Sequence, residues 1–337
     1  MIRLRSGPED FAELGLSERV EPWEDGRRTP LSADYFEWWY LDSVLNDGTI
    51  VVAWFGDNWT YGTRSRAVNL EITRPGERTR RTHWKFAEPG TFATDRCEVR
   101  IGPHALTEDH GSYRLRIDPT DGLGCDLKLA PALAPFRPGT GLIAAGDSFF
   151  AWLVPVPGGT VSGTLTIDGK VREVAGHGYH DHNWGNAAPS RLFRRWWWAH
   201  GADGERSVIA MVYQAREQLG GASIPVLYVG GTRDTETDAL DAEVRFSEGA
   251  PTPHPDRSRT RPIASSVVWS AGGVTLAASP RKMLASFDLR RRPAMLTSEG
   301  ISDSLPWYSR FTGDLTLTLA DGSVATGSGV VECFEFE

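Results

Sequence analysis

Apolar and polar residues alternate with a period of two along most of the chain. Val68, Leu70 and Ile72 alternate with polar neighbours, as do residues 113–117 and 315–319. This period is typical of β-strands that bury one face and expose the other. A helical period is confined to residues 8–16. The pattern therefore predicts a protein made almost entirely of strands.

Several further segments are apolar throughout, which indicates strands that are covered on both faces. They span residues 49–55, 149–154, 207–213 and 224–229. Hairpin turn sequences separate many of the predicted strands, including Asp121-Gly122, Asp168-Gly169 and Asp321-Gly322. Short antiparallel strands with frequent turns favour barrels or sandwiches. We expect an all-β fold.

The length of 337 residues suggests two domains or one large one. A turn-rich stretch, Gly185 to Ser190, interrupts two aromatic-rich strands. Each half also begins near a Trp cluster, at Trp38-Trp39 and at residues 196–198. We expect an N-terminal β-barrel of residues 1–188 and a C-terminal β-barrel of residues 189–337.

Charge and targeting patterns narrow the class of protein. A net charge of −8 argues against binding to nucleic acid or to anionic lipid. The N-terminus lacks the apolar segment of a secretory signal, and no apolar run approaches the ~20 residues that span a bilayer. Three distant cysteines favour buried thiols over disulfides or a zinc motif. A cytoplasmic protein without a membrane span is predicted, and its oligomeric state is left open.

The densest polar cluster lies within Gly176–Gly185. In an extended strand its side chains divide between two faces, His180, His182 and Trp184 on one and Tyr179, Asp181 and Asn183 on the other. The cluster is compatible with a buried structural network. It is also compatible with acid–base chemistry, because a carboxylate partner orients an imidazole that titrates near neutrality.

A third interpretation is a metal site at the His180-x-His182 pair. The carboxylate that usually follows such a pair is missing from residues 183–187, and a further ligand would have to come from elsewhere, for example His177 or His200. Phosphate-binding loops, dinucleotide fingerprints and the nucleophile elbow of serine hydrolases are absent as well. We therefore expect neither a metal nor another cofactor.

Three other segments combine aromatic and ionisable residues. In residues 35–42, Glu37 and Asp42 are embedded among aromatic rings, which favour the neutral form of a carboxyl group and suit a general acid. An edge strand with both acids in water is the alternative. Consecutive Trp residues at 196–198 must point to both faces of a strand. Near the C-terminus, strand glycines within 327–329 permit close approach of another backbone and precede Glu332.

Two of these segments, Phe36–Tyr40 and Gly178–Gly185, resemble motifs of the AttH/hydroxyneurosporene synthase superfamily. The Trp-rich strand and the segment from Gly327 to Glu332 fit the same pattern. That superfamily includes carotenoid 1,2-hydratases and lipocalin-like cyclases of natural-product pathways, some of them Diels–Alderases. The resemblance implies two lipocalin-like barrels with a ligand pocket at or between them. It also implies cofactor-free work on hydrophobic polyenes or polyketides.

The leading hypothesis is a cofactor-independent cyclase of the Diels–Alder or hetero-Diels–Alder type that folds a hydrophobic polyene or polyketide. Candidate catalytic residues are His180, Asp181, His182 and Glu37. Candidate substrate-binding residues are Trp38, Tyr40, Tyr179, Asn183, Trp184, Trp197, His200 and Glu332. The alternatives are a hydratase or dehydratase of polyene double bonds and a non-catalytic lipocalin-type carrier. The predicted partner is a hydrophobic small molecule.

Overall fold

The computed structural model describes residues 1–30, 35–60, 63–86, 90–203, 206–231, 235–288 and 307–336. The chain is 65% strand and 7% helix, and its antiparallel sheets curl into two half-barrels. The prediction of an all-β protein with two lipocalin-like barrel domains is confirmed. None of the described helices is both long and apolar enough to cross a bilayer.

The strands of the first part of the chain are β1 Arg3–Leu4, β2 Phe36–Leu45, β3 Ile50–Thr60, β4 Thr63–Thr73, β5 Arg80–Phe86, β6 Thr91–Phe92, β7 Glu98–Ile101, β8 His104–Asp109, β9 Ser112–Thr120, β10 Leu123–Pro131, β11 Leu142–Ala145, β12 Ser148–Ile167 and β13 Lys170–Gly185. Those of the second part are β14 Phe193–Ala202, β15 Arg206–Ala215, β16 Ser223–Gly231, β17 Thr235–Leu240, β18 Arg245–Glu248, β19 Pro251–Thr252, β20 Ile263–Ala264, β21 Val267–Ala271, β22 Val274–Asp288, β23 Trp307–Thr318 and β24 Val324–Glu335. The helices are α1 Pro8–Leu14 and α2 Pro189–Leu192, with 3-10 turns at Pro22–Asp25, Glu217–Leu219 and Asp241–Glu243.

The chain divides into two compact units. The first, here called the N-terminal unit, comprises Arg5–Ile143 and Ser148–Ala188. The second, the C-terminal unit, comprises Pro189–Glu337 together with Met1–Leu4 and Ala144–Asp147. Each unit is built around its own apolar cluster, as expected of a domain.

In the N-terminal unit the strands follow the order β5-β4-β3-β2-β13-β12-β10-β9-β8-β7-β6. Most neighbouring strands in this order form hairpins. The exception that matters for the site is β13, which pairs with β2 although the two are far apart in sequence. This pairing brings the two motif segments side by side. Side chains from both ends of the order form one core, which includes Trp39, Leu70 and Tyr113.

The 3-10 turn Pro22–Asp25 and the residues after it form a segment that is tied to this sheet by polar contacts. Glu24 pairs with Arg137, and Arg27 donates to Asp57 over 2.8 Å. All four side chains are buried. Because unpaired charges are costly in an interior, these pairs hold the segment in a single position. This segment, residues 22–29, is called the plug segment below.

In the C-terminal unit the order is β17-β16-β15-β14-β24-β23-β22-β21-β18. Trp197, Trp269 and Phe311 are fully buried in its core. A side chain on Gly329 would overlap the carbonyl oxygen of His200 on the neighbouring strand. The close backbone approach that the sequence predicted for the strand glycines is therefore present.

The stretch from Glu248 to Pro262 is rich in Pro, Arg and Ser, which predicts an exposed hairpin, and most of its residues are exposed. Its strand β19 pairs with β20 directly after it, but His254 and Arg259 within the stretch are buried. The Asp256 amide donates to His254 Nδ1 over 3.0 Å, so the ring proton must lie on Nε2, 2.9 Å from Ser309 Oγ. A second ring proton would break the bond to Asp256.

This arrangement predicts a pH-dependent loss of stability. Burial and the Arg259 charge lower the pKa of His254 to about 4, whereas an unfolded histidine titrates near ~6.5. Between these values the unfolded chain binds about one more proton, so stability falls as the pH falls through this window. The free energy of unfolding is measured by denaturant titration from pH 7 to pH 4. His254→Gln is expected to reduce its slope against pH by the equivalent of about one bound proton. The same change at the exposed His110 should leave the slope as in the wild type; equal slopes for both variants would refute the assignment.

Candidate functional site

The two motif strands of the N-terminal unit, β2 and β13, pair directly. Their register sets Tyr40 opposite Asp181 and Trp39 opposite His182. Since side chains alternate between the faces of a strand, this register sorts both motifs onto the same two faces. We call the face that contacts the core of the unit the inner face and the opposite one the outer face.

The inner face carries the two histidines. His182 stacks on Trp39 with ring centroids 4.5 Å apart, and His180 lies 4.9 Å from the Tyr113 ring. Both imidazoles are fully buried. The next residue on this face is Trp184, whose ring is 4.8 Å from that of His182. The predicted division of the strand into faces is therefore observed.

Asp25 of the plug segment supplies the acid partner of these histidines. Its Oδ2 lies 3.1 Å from His180 Nε2 and accepts a hydrogen bond of 3.0 Å from the Tyr113 hydroxyl. Its Oδ1 lies 3.4 Å from His182 Nδ1. The Trp39 indole donates to the Asp25 carbonyl oxygen over 3.2 Å, which fixes the position of this residue.

Glu37 closes the other side of the inner cluster. Its carboxylate lies 2.9 Å from His182 Nε2 and accepts bonds from the backbone amides of Arg28 and Thr29 and from the Thr29 hydroxyl. Glu37 is completely buried, yet each of its oxygens has a partner. Glu37 is therefore neither exposed to water nor enclosed by apolar rings alone. Both interpretations of the sequence, the edge-strand acid and the acid among aromatic rings, differ from this environment.

Two pKa shifts describe the charge of the inner cluster. Burial alone would raise the pKa of Asp25, but the nearby imidazoles of His180 and His182 lower it to about 2. Burial opposes protonation of His182, yet the nearby carboxylates of Asp25 and Glu37 raise its pKa. Opposite charges thus stabilise each other within an apolar enclosure.

The outer face carries a separate cluster around Asp181. Its Oδ1 accepts from the Asn183 amide over 2.8 Å. Its Oδ2 accepts from the Tyr179 hydroxyl over 2.9 Å and from the Trp152 indole over 3.3 Å. These donors favour the ionised carboxylate. Burial and the Asp181 charge in turn raise the pKa of Tyr179 well above its usual value.

Aromatic side chains extend this outer face along β2. Trp38 is half-buried and stacks on Phe36 with centroids 5.0 Å apart, and it also lies 6.0 Å from the Phe150 ring. Tyr40 meets Tyr179 edge to face at 6.4 Å. Its hydroxyl donates to Asp42 over 2.8 Å. The outer face therefore combines aromatic rings with a hydrogen-bonded polar cluster.

The structure divides the predicted polar centre between these faces. His180 and His182 lie on the inner face, whereas Asp181 lies on the outer one, so Asp181 does not pair with either imidazole. Glu37 and Tyr40 are separated in the same way. The single centre that adjacent sequence positions suggested is thus two clusters, back to back across one sheet.

The remaining candidate residues belong to the C-terminal unit. Trp197, expected to line a pocket, is fully buried in the core and donates to Glu248 over 2.9 Å. Trp198 and His200 lie together on the other face of β14, and their rings pack with centroids 4.7 Å apart. Glu332 accepts from Arg310 over 2.9 Å and from the Tyr308 hydroxyl.

Sequence reasoning missed several residues of both clusters. Asp25 lies in the 3-10 turn of the plug segment, 155 positions from His180, and Trp152 is 29 positions from Asp181. The acidic pair Glu24-Asp25 before a glycine was the one local sign of a functional loop. In the C-terminal unit, Arg310 could not be recognised as the partner of Glu332. Arg is the predominant cation throughout the chain, so its residue type carries no signal.

Comparisons with known proteins identify the fold. No family model matches the chain, and no curated protein matches it. Among solved structures, an AttH-like protein from Nitrosomonas europaea superposes with a TM-score of 0.71 at 14% identity, covering 99% of this chain and 100% of that one. Kievitone hydratase from Nectria haematococca gives 0.63 at 12% identity, covering 98% and 96%.

CghA, solved with Sch210972, gives a TM-score of 0.65 at 12% identity and covers 100% of this chain and 99% of its own. At these identities the matches establish a shared fold. That fold is the one expected from the motif resemblance to the AttH/hydroxyneurosporene synthase superfamily.

Proposed function

We propose that the chain is a cofactor-independent cyclase that folds a hydrophobic polyene or polyketide and joins its ends by a cycloaddition. The observation that carries this proposal is the outer cluster, where the Asn183 amide is held by Asp181 beside an aromatic strand face. A fixed neutral donor next to apolar rings suits a substrate with one polar handle on a long apolar body.

Asn183 is the proposed activating group. One of its two amide hydrogens is bound by the Asp181 carboxylate, and the other can donate to a substrate carbonyl. Such a bond withdraws electrons from the conjugated alkene and makes it a better partner for a diene. Because Asp181 is itself held by Tyr179 and Trp152, the donor needs no reorganisation during the reaction.

Trp38 and Tyr40 are the proposed substrate wall. Flat rings on one strand face can press a flexible polyene into the folded conformer in which diene and alkene meet. Restricting the chain in this way can supply up to ~7–11 kcal/mol of the barrier in favourable cases. In the reaction two π bonds become σ bonds, and no atom, proton or electron is gained or lost.

The fold supports an enzyme of this kind, because it is shared with CghA, a Diels–Alderase. Direct participation of His180, His182 and Glu37 in the chemistry stays a prediction, as does substrate contact by Trp184, Trp197, His200 and Glu332. In our proposal the buried histidines support the sheet from its inner face, and the reaction takes place on the outer face.

A hydratase is the second candidate function. The same fold occurs in kievitone hydratase, and both clusters contain acid–base residues. Hydration of an alkene requires a strong proton donor. The donors around Asp181 favour a carboxylate, which accepts protons, and we therefore rank cyclisation first. A carrier that binds a hydrophobic ligand without turnover is the third possibility.

Mass spectrometry of the product separates these functions. The probe is a linear polyene that carries an electron-poor alkene conjugated to a carbonyl group. We expect a product of unchanged mass and shorter retention on a reversed-phase column. A product heavier by one water would establish the hydratase, and binding without any new product would establish the carrier.

A further inference from the structure

Three donor side chains of different chemistry converge on the inner face of the N-terminal unit. Asp25, Cys97 and His180 each offer one ligand atom, and these atoms lie within 4.8 Å of one another. All three residues are buried. They come from the plug segment, from the residue before β7 and from β13, so the fold assembles this group from distant parts of the chain.

The hydrogen bonds of His180 determine which ring nitrogen faces the group. Its Nδ1 lies 2.7 Å from the Tyr40 carbonyl oxygen, and a carbonyl oxygen only accepts. The ring proton is therefore on Nδ1, and Nε2 points at Asp25. Histidines that bind metals characteristically donate their other nitrogen to a carbonyl or carboxylate in this way.

His182 repeats the same arrangement. Its Nε2 is held by the Glu37 carboxylate, which leaves Nδ1 directed at Asp25. His182 Nδ1 and Asp25 Oδ1 are 3.4 Å apart, yet neither atom has a hydrogen-bond partner among the described residues, although both are buried. Two buried polar atoms without a hydrogen bond, next to the group of Asp25, Cys97 and His180, point to a bound cation or proton at this place.

We infer that Asp25, Cys97 and His180 form a binding site for one divalent transition-metal ion of the zinc class. A carboxylate, a thiolate and an imidazole are all ligand types that zinc accepts. Tyr113 and Trp39 hold Asp25 from behind, as outer-shell partners do.

The ion would have a structural role. It would join the plug segment to β13 and to the start of β7 across the interior of the half-barrel. Asp181 and Asn183 lie on the other face of β13, so the proposed cycloaddition takes place without contact to the ion. This inference amends the expectation of a metal-free protein: the missing carboxylate ligand comes from Asp25 rather than from residues 183–187.

The alternative occupant is a pair of protons. If both imidazoles were protonated, His180 and His182 would form ion pairs with Asp25 and Glu37, and the thiol of Cys97 would remain neutral. The two occupants differ in one measurable respect, because only a metal ion recruits the sulfur atom.

Metal analysis and cobalt substitution of the full-length protein test the inference. We expect about one zinc-class ion per chain after purification in zinc-containing medium. After removal of zinc, added Co²⁺ should produce visible ligand-field bands and a sulfur-to-cobalt charge-transfer band. Cys97→Ser should abolish the charge-transfer band and weaken cobalt binding by at least the ~10–100-fold that loss of an outer-shell partner typically costs. Cys125→Ser is the matched control, since Cys125 is a buried thiol of the same core that lies outside the ligand group, and it should retain the band.

X-ray absorption on the wild-type zinc protein keeps the test independent of variant folding. It should show one sulfur at ~2.3 Å and nitrogen or oxygen neighbours at ~2.0 Å from zinc. Cobalt that produces no charge-transfer band, or a band that survives Cys97→Ser, would overturn the site and favour protons. Cyclase activity is measured on the same samples, and its presence or absence leaves the spectroscopic result unaffected.

Discussion

Replacing Asn183 by Ala is expected to lower kcat of the proposed cyclisation by about 10²-fold, the cost typical of removing one fixed hydrogen-bond donor to a developing charge. KM should change little, because the apolar wall that binds the polyene remains intact. Steady-state kinetics with the linear polyene probe measure both constants. Asp181→Asn should give a smaller loss of kcat in the same direction, since the donor remains but loses its anionic anchor.

The chain offers a matched control for this variant. Asn69 on β4 donates to Glu71 two residues away over 3.2 Å, the same type of pair as Asn183 and Asp181. Asn69→Ala should therefore leave kcat within about twofold of the wild type. If Asn183→Ala retained full activity while folded, the outer cluster would not be the activating group.

The second large effect concerns stability. Glu37→Ala is expected to lower the free energy of unfolding by about 3–5 kcal/mol, the usual cost of removing one partner from a buried ionic network. Four donors would lose their acceptor: two backbone amides, the Thr29 hydroxyl and His182 Nε2. Urea titration monitored by tryptophan fluorescence measures the change.

Two further variants show whether the loss of stability comes from the buried network. Glu173→Ala removes an exposed glutamate from β13 and should shift the free energy by less than about 0.5 kcal/mol. Glu37→Gln keeps the shape and one acceptor oxygen, so it should cost less than the Ala variant. A folded Glu37→Gln protein that has lost all turnover would instead support the predicted catalytic role of Glu37.

Much of the architecture follows from local sequence patterns. Alternation at Val68, Leu70 and Ile72 specified a strand with one buried face, and all three side chains are indeed in the core. The same period divided Gly176–Gly185 into two faces correctly. Such predictions succeed because strand periodicity is a local property of the backbone and needs no knowledge of the neighbouring strands.

The composition of the clusters was beyond local reasoning. Proximity in sequence grouped His180 with Asp181, but consecutive strand residues point in opposite directions, and the acid partner is Asp25. Which loop residue reaches a given histidine depends on how the sheet curls and on where the plug segment enters it. The three Trp residues at 196–198 illustrate the same limit: alternation required two faces, but only tertiary packing places Trp197 in the core.

The position of β13 between β2 and β12 also dictates the order in which the N-terminal unit can be assembled. β2 is complete by Leu45, yet its partner on one side is made more than a hundred residues later. During synthesis that edge of β2 remains unpaired, with Trp39 and Leu41 uncovered, until residues 170–185 leave the ribosome. Non-local pairing of this kind slows folding and leaves an edge that can pair with other chains. The strand that carries both clusters therefore also completes the sheet, so a nascent chain that stalls before residue 170 presents an aggregation-prone edge.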